Sequence, residues 1–109
     1  MLRYGMPMTE KIVDIRVSPR NTKKYMAIIS NPKTNKDRKI HFGARDYQQF
    51  RDSTPLKKYK HKNHLDLVRK RRYYSRFSGV ETKSAAIRKE ISKSKGTYNA
   101  KILSHIYLW

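Results

Sequence analysis

The chain contains no cysteine. That excludes a disulfide framework, a thiolate zinc site and a cysteine nucleophile. Acids are scarce as well: eight Asp and Glu stand against 27 Lys and Arg, for a net charge of +19. So few carboxylates leave little for paired acid–base chemistry, and most of them read as caps or ion-pair partners. Glycine and proline number four each, too few for a linker-like chain. No apolar run approaches membrane-spanning length. The opening MLRYGMPMTEK holds no continuous apolar stretch, so no signal peptide is expected. Gly43 stands alone rather than in a phosphate-binding loop. His61, His64 and Asp66 lie close in sequence, but their spacing matches no zinc pattern and the surrounding Lys and Arg oppose a cation. The expectation is a non-enzymatic protein with no cofactor and no metal.

What is present is positive charge, concentrated toward the C-terminus. Residues 1–55 carry 12 basic and 5 acidic groups; residues 56–109 carry 15 and 3. The run from Leu56 to Phe77, LKKYKHKNHLDLVRKRRYYSRF, interleaves Lys and Arg with Tyr, His and Phe. Such a run meets something negative or forms a solvated face. The chain is nonetheless built to fold. It is 37% apolar with eight Tyr, three Phe and one Trp, whereas disordered chains are poor in aromatics. Its length fits one small basic domain over residues 1–109, with a modest core strained by self-repulsion.

The hydrophobic pattern changes period along the chain. Residues 11–18 alternate, placing Val13, Ile15 and Val17 on one face of a strand. Pro19 ends it. Residues 24–30 form a second strand with Tyr25, Ala27 and Ile29 on one side. After the polar loop NPKTNKDR, residues 39–42 make a third, closed by Gly43. From there helical spacing takes over. Tyr47 and Phe50 mark a short helix over 44–51, broken by Asp52-Ser53-Thr54-Pro55. Asn63 caps a second helix running to Phe77, with Asp66 in its first turn. A third spans Lys83 to Lys93 and stops at Lys95-Gly96, and the last covers Asn99 to Trp109. Strands first and helices after is the α+β arrangement. The expected architecture is a three-stranded antiparallel meander over about 11–43, then three to four short helices over about 44–109.

The candidate binding residues are Lys57, Lys58, Lys60 and Lys62 before the basic helix, and Arg69, Lys70, Arg71, Arg72 and Arg76 on it. Phosphates of DNA or RNA would draw salt-dependent affinity from them, with Tyr73, Tyr74 and Phe77 stacking on bases or packing beneath. Docking to acidic protein partners is the less favoured alternative on charge alone. Tyr25, Tyr47 and Tyr73 sit at positions that fit a core. The terminal Tyr107, Leu108 and Trp109 either fold back or anchor in a neighbour.

Several residues also carry a resemblance. Ile40-His41-Phe42-Gly43, then Tyr47 and Phe50, then His64-x-Asp66-x-x-Arg69-Lys70-x-x-Tyr73-x-x-Arg76, then Ser104-x-x-x-Leu108-Trp109, resemble a family of small basic virion-associated proteins of large nucleocytoplasmic DNA viruses. The resemblance covers roughly residues 24–109. The connection from Arg51 to Asn63 is longer than family members often have, and many continue past the Leu-Trp pair. The resemblance implies a non-enzymatic structural protein of the virion, present in host cytoplasm during assembly. It implies a minor capsid or cement role, with basic helices on acidic faces of other capsid proteins and Tyr107, Leu108 and Trp109 as a partner anchor.

Overall fold

The computed structural model describes residues 8–109, so most of the stretch read as lacking a leader lies outside the described residues. Three strands, β1 (Lys11–Val17), β2 (Lys23–Asn31) and β3 (Lys36–Ala44), form an antiparallel sheet in the order β1-β2-β3. Three α-helices follow: α1 (Leu67–Ser78), α2 (Lys83–Ser94) and α3 (Ala100–Tyr107), with a single 3₁₀ turn at Lys60–Lys62 before them. The fold is α+β. Among the described residues, no helix is long and apolar enough to cross a membrane.

The central strand follows its alternation. Tyr25, Ala27 and Ile29 are fully buried. β1 departs from it, because the register shifts between Ile12 and Asp14, a β-bulge. One extra residue turns Val13 outward, 61% exposed, and puts Ile12 opposite Ile29 in its stead. Val17 keeps its place opposite Tyr25 but lies exposed at the end of an edge strand. The polar residues Lys36 to Lys39 belong to β3 rather than to a loop, since their backbone pairs with β2 as far as Asn31. The turn closes tightly: Asn35 adopts φ +54°, and Asn31 Oδ1 accepts from Lys33 N at 3.0 Å.

The expected helix over 44–51 does not form. Buried Lys24 points its ammonium at two carbonyls that such a helix would need, Ala44 at 2.7 Å and Tyr47 at 2.6 Å. Tyr47 is 73% exposed instead of core. Gln49 pairs its backbone with residues 62 and 64. Asn63 is not the cap of α1 either. Its Oδ1 accepts from Gln49 Nε2 and from Asp52 N, both at 2.8 Å. Asp66 caps the helix, accepting from Val68 N at 2.9 Å and Arg69 N at 3.2 Å. Gly79 ends α1 in the left-handed region, and Lys95 does the same for α2.

α3 is the hinge of the core. Leu103 and Leu108 join Ile15, Tyr25, Phe42 and their neighbours against the sheet, while Ile102 packs with Ile87 and Ile91 of α2. Burying each such side chain contributes roughly 1.5–3 kcal/mol. α1 is less embedded: only Tyr74 and Ser78 are buried, and Leu67 and Val68 face solvent. The chain's last residues fold back. Arg51 N donates to Leu108 O at 3.0 Å and Ser53 N to Tyr107 O at 2.8 Å. Leu108 is therefore core rather than a free anchor, with Tyr107 and Trp109 half-buried beside it.

Candidate polyanion-binding surface

The basic loop is shaped by one buried acid. Asp52 Oδ2 accepts from the Tyr25 hydroxyl and from Tyr59 N at 3.1 Å. Its Oδ1 accepts from Thr54 N at 3.0 Å and from the Thr54 hydroxyl at 2.6 Å. Burial opposes the charge on Asp52, but the hydrogen bonds from Thr54 and Tyr25 outweigh it and hold the pKa below the usual carboxylate value. The Tyr25 oxygen in turn accepts from Lys58 N at 2.9 Å, and burial beside Asp52 pushes its own pKa up to about 12. A loop without regular structure is thus tied to the central strand at Tyr25, with Lys57, Lys58 and Lys60 on its exposed side.

The helices use a second network. The Tyr73 hydroxyl lies 2.9 Å from His105 Nδ1, Ser78 Oγ lies 2.8 Å from Nε2, and Ser78 Oγ donates to Glu90 Oε2 at 2.9 Å. A hydroxyl has one proton, so Ser78 must accept from His105. That fixes the tautomer: Nε2 carries the proton and Nδ1 accepts from Tyr73. Burial lowers the His105 pKa to about 4, and nearby Glu90 only partly counters it. The chain Tyr73–His105–Ser78–Glu90, buried at all but its Tyr73 end, joins α1, α2 and α3.

These networks sort the nine expected cations into three places. Lys57, Lys58, Lys60 and Lys62 sit on the Asp52-braced loop, where Lys62 reaches the carbonyl of Asp46 at 3.4 Å. Arg69 and Lys70 turn toward residues 48–50: Arg69 donates to Gln48 Oε1 at 2.8 Å, and the Lys70 ammonium lies 4.4 Å from the centre of the Phe50 ring. Arg71, Arg72 and Arg76 share a shallow polar depression with Val68, Ser75 and Glu81. None of the nine takes part in an ion pair among the described residues. Five of the eight acids are spent elsewhere. Glu10, Asp52 and Glu90 are buried, Asp14 pairs with Arg16, and Asp66 caps α1. Arg38 beside Glu10 holds that carboxyl below its ordinary range.

Sequence reasoning missed Asp52, Ser78, Glu90 and His105 as organising groups, and Lys24 as a buried cation. Burial, with Lys62 nearby, brings the Lys24 pKa down to about 8. One signal was available: Asp52 is the only acid between Asp46 and Asp66, in a stretch crowded with bases. Of the aromatics expected to meet bases, Tyr74 is fully buried and Tyr73 stacks flat on Trp109, ring centres 4.2 Å apart and planes within 3°. No family model matches the chain, and no curated protein or solved structure does either.

Proposed function

We propose that this protein is a non-enzymatic structural component of a large DNA virus particle, a minor capsid or cement protein that bridges acidic faces of other capsid proteins. The observation that carries the binding part of this reading is the set of nine cations without ion-pair partners among the described residues, held on a braced loop and a capped helix. Cations with no internal counter-ion retain their full attraction for an external one, and the bracing reduces the entropy lost on binding. The viral part rests on the resemblance of residues 24–109. Trp109 is only partly buried against the core. Cross-linking mass spectrometry on purified particles tests the reading. Links from Lys57, Lys58, Lys60, Lys62 and Lys70 to capsid proteins are expected, and absence of the protein from particles overturns it.

The same unpaired arginines favour a second reading, a protein that coats or condenses the genome, because α1 offers phosphates several unneutralised charges at once. Its mark is DNA affinity that falls steeply with salt yet survives about 0.15 M. Loss of all affinity at that ionic strength removes it.

A further inference from the structure

A groove of about 430 Å³ opens between the β2–β3 end of the sheet and the helices. Tyr47, Tyr73, Phe77, Ala100, Leu108 and Trp109 are among its lining residues. Tyr47 and Phe77 are exposed, so carbon surface is left uncovered there. Lys23 and Lys101 also line it, Lys101 with its ammonium 3.7 Å from Glu90 and partly exposed, and none of the described acids does. An apolar cleft flanked by cations complements an apolar group with negative charge beside it.

We infer that this groove receives one large apolar side chain from an acidic peptide segment of a partner protein. The inference rests on the proposed docking to acidic protein faces and names the chemistry of the docked segment. The apolar side chain covers the walls formed by Tyr47, Phe77 and Trp109. Carboxylates on either side of it meet Lys23 and Lys101. A nucleobase fits the site less well. Tyr73 and Trp109 cover one face of each other, so a base cannot slip between them. The polar edges of a base would also lie against carbon, where each lost hydrogen bond weakens binding.

Trp109 is the single tryptophan of the chain, so its emission reports directly on the groove. The experiment titrates the full chain with a short capped peptide of Glu residues around one central Phe, and with its twin carrying Ala at the centre. The Phe peptide is expected to bind about tenfold more tightly and to shift the Trp109 emission, as burial of one aromatic side chain implies. Ala100→Phe fills the groove from the exposed first turn of α3 without altering charge. It is expected to erase the tenfold difference while leaving affinity for the Ala peptide unchanged, which also shows that the variant folds. Equal affinity of the two peptides for the natural chain, or a preference that survives Ala100→Phe, overturns the groove assignment and leaves the proposed function standing. Failure of both peptides to bind at low salt overturns both. Displacement of the Phe peptide by a short thymidine oligonucleotide whose own binding Ala100→Phe abolishes would reassign the groove to a base.

Discussion

Asp52 and Glu90 are two buried carboxylates in different halves of the molecule, one behind the basic loop and the other among the helices. Asp52 accepts from four neutral donors, three from Thr54 and Tyr59 of its own loop and one from Tyr25 of the central strand. Glu90 accepts one hydroxyl, and its other oxygen faces the ammonium groups of Lys101 at 3.7 Å and Lys93 at 3.9 Å. The first arrangement can shape a segment that has no helix or strand to hold it. The second lies on helices already held by Ile87, Ile91 and Ile102. A loop depends on its acid; a helix pair depends on its core.

The largest expected effect breaks that contrast most directly. Asp52→Ala strands the Tyr25 hydroxyl and the donors of Thr54 and Tyr59, and should destabilise the protein by about 4 kcal/mol. Glu90→Ala should lose only about 1–2 kcal/mol, because Ser78 retains His105 and the lysines reach water. Urea midpoints measure both, and trypsin cleavage between Lys57 and Lys62 should accelerate only in the Asp52 variant. Similar losses in the two variants would dissolve the comparison.

Acid should weaken the two halves in separate windows. The folded pKa of His105, about 4, lies below its ordinary 6.5, so the unfolded chain binds the extra proton first. Stability is full above pH 6.5 and falls as the pH drops toward 4, by on the order of 3 kcal/mol from this group. His41 and His64, also lowered by burial and neighbouring cations, add smaller contributions to the same window. Asp52 has a lowered pKa of the opposite charge type. Its contribution is present above 3.8 and is lost only as the pH falls through its folded value. Stability measured from pH 7 to 3 should therefore decline in two stages, and His105→Gln should flatten the first. A profile unchanged by His105→Gln would mean that the relay carries no such linkage.

The smallest effect on stability should come from the exposed arginines. Arg71→Gln with Arg72→Gln should shift the unfolding free energy by less than about 0.5 kcal/mol, since neither takes part in an ion pair. The pair should still reduce the salt slope of binding to a DNA duplex by about two, one per lost phosphate contact. An unchanged slope would place the polyanion contacts on the loop lysines instead.

How far the sequence could be read follows from the range of the interactions. The central strand, α2 and α3 were legible, because alternation, helical spacing and the Lys95-Gly96 stop are local. The bulge at Val13 was not, since it appears only once β1 is set against β2. The false helix at 44–51 failed for the same reason: Lys24, some twenty residues earlier, captures the carbonyls. The basic run was visible as composition, and the cap at Asp66 lay close to its expected place. Asp52 and His105 stayed hidden because their partners are distant in the chain, and nothing nearby reveals that Tyr25 or Ser78 will arrive.

The bulge has a consequence at the sheet's margin. A flat, regular border strand is a template onto which another chain can add by backbone pairing, the first step toward fibrils. The kink at Val13 twists the border formed by β1 out of that geometry. On the other border, Lys36 and Lys39 stand exposed and repel a like strand. Both borders thereby hinder edge-to-edge pairing between sheets of neighbouring copies.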